Sequence, residues 1–273
     1  MEKSSGTLTL VGTPIGNAAD LTPRALKALE NADIIACEDT RRSLPFLLGR
    51  GVKKPLVSYH KHNEKSGAEY LVRLLEEGKN VALVTDAGMP GISDPGAVVV
   101  RLARQAGITV TCAPGPTALT TALALSGIAG PFVFLGFLPE KTKDKTALVG
   151  AFKNTPAALV LYVSPHDLQK QLDFLYGVLG ARGVVLTREL TKMFEQVEEG
   201  VLGEIRVEEP RGEYVVIVRG GEGEEAPDPE DMLKRLLESG EDRKSAIKQV
   251  AARCRLPRDE VYKMALKLRG GDE

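Results

Sequence analysis

The chain has 273 residues, 43% of them hydrophobic, which is enough to fill the cores of two ordinary domains; its 36 basic and 37 acidic residues nearly cancel. Bulk charge therefore does not announce a nucleic-acid binder, and no apolar run approaches the roughly 20 residues of a membrane span. Cys37, Cys112 and Cys254, odd in number and far apart, fit reduced thiols better than a disulfide framework or a zinc site.

Residues 1–5 lead straight into strand-like sequence with no basic-then-apolar leader, so a soluble, cytoplasmic protein is expected. Short β-branched runs predict strands at 8–11, 34–37, 56–58, 81–84 and 109–112, with helical patterns between most of them. The first helix has a clear start, Thr22 as N-cap and Pro23 at the first helical position, with Ala25, Leu26 and Leu29 on one face. Such alternation predicts a mostly parallel sheet covered on both faces. Gly127, Gly130 and Pro131 then punctuate a change of unit. A second α/β set follows, with strands at 132–136, 158–163, 184–187 and 214–218, helices near 145–152 and 167–179, and a hairpin or edge strands within 194–213. Residues 220–229, small, acidic and Pro-containing, read as a linker, and the remainder reads as helical. Between 243 and 269, nine basic residues against two acidic ones give a net of +7. The expected division is 1–126 and 127–220 for the two α/β domains, 221–230 for the linker and 231–273 for a basic helical extension.

In an open α/β sheet, ligands sit beyond the carboxyl ends of the strands, so the loops that follow strands are informative. Three are dense in Gly and Pro: Gly12-Thr13-Pro14-Ile15-Gly16-Asn17, Asp86 through Gly96, and Ala113-Pro114-Gly115-Pro116-Thr117. None matches the dinucleotide fingerprint or the P-loop. Such loops bring backbone N–H and C=O groups close to a ligand in a fixed shape, whereas each taken alone is also what a tight βα turn looks like.

These loops, together with Glu38-Asp39-Thr40-Arg41, Ser58-Tyr59-His60 and Thr187-Arg188-Glu189-Leu190-Thr191-Lys192, carry a resemblance across essentially the whole chain. In this order they resemble the tetrapyrrole-methylase superfamily, and within it the branch that methylates ribosomal RNA. The resemblance implies two α/β domains with S-adenosylmethionine folded into the cleft between them. It also implies 2'-O-methylation of a cytidine in the decoding region of 16S rRNA within the 30S subunit, and a homodimer; the displacement itself requires no metal. By position it brings Pro14, Ile15, Asp86, Gly88, Met89, Ile92, Ser93, Gly115, Pro116, Thr117, Tyr162, Val163, Tyr214 and Val215 to the donor. Many related methylases have Gly-Asp-Pro where this chain has Gly88-Met89-Pro90, a substitution that fits the rRNA branch.

Methyl transfer from a sulfonium is an in-line displacement, and a ribose hydroxyl attacks better when a positioned base takes its proton. Candidate bases are Glu38, Asp39, His60 and Glu189, each with a plainer role: Asp39 as a helix cap, Glu38 paired with Arg41 or Arg42, His60 as a solvated histidine, Glu189 holding Arg188. Arg41, Arg42 and Arg188 suit phosphate contacts. His60 and His62 lack the ligand count of a zinc site. Near the C-terminus, helices at 245–252 and 257–266 resemble a helix-turn-helix, a charged solvated pair being the alternative. The competing functions are methylation of a tetrapyrrole or protein, and RNA binding without catalysis.

Overall fold

The computed structural model describes residues 5–221, 228–254 and 256–267. Most of the expected linker, at 222–227, and two cations of the basic run, Arg255 and Arg269, lie outside the described residues.

The first half runs β1 (Thr7–Val11), α1 (Pro23–Asn31), β2 (Ile34–Cys37), α2 (Thr40–Leu48), β3 (Leu56–Ser58), α3 (Glu64–Glu76), β4 (Val81–Leu83), α4 (Ala97–Gln105) and β5 (Thr109–Ala113). Its strands form one sheet in the order β3-β2-β4-β1-β5, every pair parallel. Alternation along the strands sends Leu8, Ala36 and Leu83 to the face covered by Leu71, Leu75 and Val99 of α3 and α4. Val11, Ile35 and Val84 go to the other face, against Ala25, Leu29 and Leu47 of α1 and α2. The start of α1 is as its sequence predicts: the Thr22 side chain accepts from Ala25 N, with Pro23 first in the helix.

The second half comprises α5 (Ala118–Ser126), β6 (Phe132–Gly136), α6 (Thr142–Gly150), β7 (Ala158–Val163), α7 (Leu168–Leu179), β8 (Gly183–Arg188), β9 (Gln196–Val201) and β10 (Tyr214–Val218). The sheet order is β6-β7-β10-β8-β9, and only β6 and β7 are parallel. The 194–213 segment supplies the edge strand β9, whose exposed Glu198 and Glu199 discourage pairing with another chain. Helix α6 begins three residues before the expected 145, with Asp144 favouring its first turn, and stops at Gly150. Although α5 lies within 1–126, it packs on the second sheet, Ala122 meeting Val160, Val185, Val215 and Ile217.

Helices α8 (Pro229–Glu238), α9 (Arg243–Cys254) and α10 (Arg258–Lys267) surround a small core of their own, with Leu233, Ala246, Val250 and Val261 fully buried. Among the described residues no helix is long and apolar enough to cross a membrane.

Candidate functional site

Because β1 lies between β4 and β5, the loops leaving the carboxyl ends of these three strands touch. Thr13 and Gly88 exchange backbone hydrogen bonds of 2.9 and 3.1 Å, and the Thr13 hydroxyl donates to the Thr85 carbonyl at 3.2 Å. A Cβ on Gly12 would stand 2.5 Å from Gly115 N, and one on Gly115 would stand 2.9 Å from the Gly12 backbone. Only a glycine pair permits that approach. The long loop after β4 turns sharply, with Gly88 and Gly91 at φ +80° and Ser93 at φ +66°.

Above these loops, between the two sheets, lies a cavity of about 220 Å³. Its first-sheet wall holds Ile15, Glu38, Asp86, Gly88, Met89, Ile92, Ser93 and Asp94; Thr117, Phe137, Tyr162, Leu190, Glu213, Tyr214 and Val215 are among the residues that line the rest. Thr117 caps α5 by accepting from Thr120 N. The Tyr162 hydroxyl accepts from Leu119 N at 3.1 Å, and Phe137 meets the Tyr162 ring edge-on at 5.6 Å. The enclosure therefore offers flat aromatic surface from Phe137 and Tyr162 together with the carboxylates of Glu38, Asp86, Asp94 and Glu213.

Ten of the fourteen positions implied for the donor line this cavity: Ile15, Asp86, Gly88, Met89, Ile92, Ser93, Thr117, Tyr162, Tyr214 and Val215. Pro14 instead lines an adjoining recess of about 300 Å³ with Arg42 and Lys192. Gly115 packs on Gly12 and the Pro116 carbonyl lies behind Gly88, so both support the loops that line the cavity. Val163 is on the far face of β7, in the core with Leu159 and Leu161, because neighbours along a strand point opposite ways.

The four candidate bases separate by their partners. Asp39 caps α2 and is bound twice by the Arg41 guanidinium, at 3.0 and 2.7 Å, which holds its carboxyl at about 2. Glu189 accepts from Lys192 Nζ at 2.9 Å and Glu213 N at 3.0 Å, and the lysine keeps it below the usual carboxylate range. Both are committed to structure. His60 lines a separate recess with Glu38, Asp39 and Arg41, its ring edge-on to His62 at 5.9 Å and its Nδ1 buried without a hydrogen bond. Glu38 faces the cavity itself, raised mainly by burial and then by the Asp86 charge.

Asp94 was not among the candidates, yet it faces the same cavity with burial, Glu38 and Asp86 pushing it up to about 6. Asp86 itself is paired with Arg42 at 2.9 Å, in place of the Glu38 partnership expected for that arginine. Arg41 and Arg42 remain 88% and 74% exposed at their side chains. Arg188 ends β8 with its Nε buried and unpartnered, outside the cavity lining. Among the described residues no group of three His, Cys, Asp or Glu is placed to hold a metal ion.

The profile of the family described as Tetrapyrrole (Corrin/Porphyrin) Methylases matches residues 7–206. The chain is 41% identical to "Ribosomal RNA small subunit methyltransferase I" of Escherichia coli O157:H7 over 279 aligned positions, 98% of each chain. It is 42% identical to the protein of the same name from Thermotoga maritima over 222 positions, 80% of this chain and 100% of the relative. Among solved structures, the methyltransferase CobJ superposes with a TM-score of 0.63 at 20% identity, covering 79% of this chain and 95% of CobJ, a likeness of fold.

Proposed function

Since the chain belongs to the tetrapyrrole (corrin/porphyrin) methylase family, we propose that it methylates small-subunit ribosomal RNA from S-adenosylmethionine, at the ribose 2'-oxygen of a cytidine in the decoding region. The observation that carries this is identity near 40% along almost the full chain to relatives bearing the small-subunit rRNA methyltransferase name. The cavity suits the donor chemically. Its Glu38, Asp86 and Asp94 carboxylates complement a sulfonium and an ammonium, while Phe137 and Tyr162 offer faces for an adenine. When bound, the donor supplies an electrophilic methyl carbon. The chain aligns the acceptor oxygen with that carbon, keeps water away, and takes the hydroxyl proton. Of the four carboxylates on the cavity wall, Asp86 and Glu213 have cationic partners, Arg42 and Lys192; Glu38 and Asp94 form no ion pair among the described residues, and burial with its acidic neighbours pushes Asp94 up to about 6. We assign the base role to Asp94, with Glu38 beside it.

In this reading 1–126 and 127–220 flank the cleft, 221–230 links them to the 231–273 extension, and the enzyme works as a cytoplasmic homodimer. Arg41→Ala should raise KM for 30S subunits about tenfold and leave the donor Kd unchanged, because the side chain is solvent-facing and one recess away from the donor wall. A donor Kd that moved with it would put Arg41 in the wrong site. Deleting 227–273, which carry the +7 segment, should lower affinity for 30S subunits about tenfold, flatten its salt dependence and spare donor binding. Equal affinity of both forms at about 50 and about 200 mM salt would refute an RNA-binding extension.

The deciding experiment is transfer of labelled methyl from S-adenosylmethionine to 30S subunits and to free 16S rRNA, followed by mapping of the modified nucleotide. Label confined to a tetrapyrrole or a protein would overturn the proposal. Failure to bind the donor in a titration would leave an RNA-binding protein without catalysis.

A further inference from the structure

The two most exposed large apolar side chains among the described residues stand side by side. Met193 is 91% and Phe194 69% exposed, in the turn that joins β8 to β9. This turn is held firmly. Thr191 N donates to Glu195 Oε2 at 2.6 Å, Asn17 N donates to Thr191 Oγ1 at 2.9 Å, and Lys192 Nζ bridges Glu189 and Glu213 at 2.9 and 3.1 Å. Glu189 and Thr191 sit at φ +49° and +65°, a conformation non-glycine residues keep only where their surroundings impose it. Hydrophobes presented to water on a braced, strained turn are a prepared contact surface.

The turn also borders the site. Leu190 lines the donor cavity, and Lys192 lines the recess it shares with Arg42. The exposed Arg41 and Arg42 guanidiniums lie on the first-sheet side of these recesses. An apolar tip on a turn whose Lys192 shares a recess with Arg42 matches an unpaired nucleotide, with its base for the tip and its phosphate for the cations of that recess. Lys192 and Glu195 flank the pair in sequence, so its apolar surface is narrow beside the broad contact a stable dimer buries.

We propose that Met193 and Phe194 stack on an unpaired RNA base next to the nucleotide being methylated and hold it out of the strand, an inference that rests on the rRNA-substrate reading. The chain contains no tryptophan, so Phe194→Trp installs a single indole at the tip. Titration of that variant with a single-stranded RNA oligonucleotide should quench the indole as RNA anisotropy reports binding. Met193→Ser with Phe194→Ser should raise KM for 30S subunits about tenfold, the loss of roughly one stacked base, with donor Kd unchanged. Saturating RNA without quenching, or an unchanged KM in the double variant, overturns the proposal. So does a dimer that the double variant turns into monomers, which would assign the tip to a second copy. Wild-type protein that transfers no methyl to 30S subunits defeats the substrate reading instead, and the oligonucleotide titration still decides the tip.

Discussion

Gly115→Ile is expected to weaken S-adenosylmethionine binding by at least about 100-fold. The Cβ it introduces would lie 2.9 Å from the C, Cα and O atoms of Gly12. Those are backbone atoms, with no rotamer that relieves the overlap, so the loops after β1 and β5 must move apart. Gly12 adjoins Thr13, whose paired hydrogen bonds with Gly88 hold the loop after β4. Separation would therefore pull on the cavity wall that Ile15, Gly88 and Met89 provide. A displacement of about 1 Å in such a wall costs roughly two powers of ten. Calorimetric titration of the donor reads the effect, and a melting curve separates it from unfolding. Gly177→Ala, on α7 with no atom within 4 Å of the added carbon, is the control. It should bind the donor normally and gain up to about 1 kcal/mol from helix propensity. Normal affinity in Gly115→Ile would show that the touching loops do not form the donor site.

The second large effect belongs to Asp94. Asp94→Asn should lower kcat about 100-fold while leaving donor Kd within a few-fold, the expected loss of one general base. In the wild type, kcat should rise with pH through about 6 as Asp94 ionises, and the variant should lose that step. The same substitution should stabilise the fold. Burial raises the Asp94 carboxyl from 3.8 to about 6, so its protonated form favours the folded state. That contribution is complete below about 3.8 and disappears as pH rises through about 6, where the buried wall must accept a charge. The amide of the Asp94→Asn variant stays neutral at every pH and keeps it. At pH of about 8 the variant should be more stable by on the order of 1–2 kcal/mol after solvent screening at this partly open wall, converging with wild type near pH of about 4. A kcat profile unchanged by Asp94→Asn would move the base role to Glu38, for which Glu38→Gln is the matching test.

Strand positions were readable because burial on both sheet faces demands continuous β-branched runs, as in 34–37, 158–163 and 214–218, which are β2, β7 and β10 to the residue. The three Gly- and Pro-rich loops were readable for a similar reason, since their backbone geometry restricts which residues can occupy them. Ion-pair partners were not. Arg42 meets Asp86, 44 positions away, because β2 and β4 are neighbours in the sheet, and the order of parallel strands is not written in any local pattern. Asp94 lay inside a loop already singled out, but its weakened acidity arises from its burial in the folded wall and from Glu38 and Asp86 beside it. The side-chain direction of Val163 was hidden for a different cause: a motif transfers a pair of adjacent residues, while a strand turns the side chain of one of the two into the core.

The helices α8, α9 and α10 close around their own core. The Thermotoga maritima relative is fully matched within 80% of this chain, so about a fifth of the sequence, close to the extent of the linker and these helices, has no counterpart there. On the proposed reading, in which these helices bind RNA, addressing and chemistry are carried by separable parts. On that reading, exchange of the helical part for another would send the same cleft to a different docking place on its target, with Gly12, Asp86 and Asp94 left as they are.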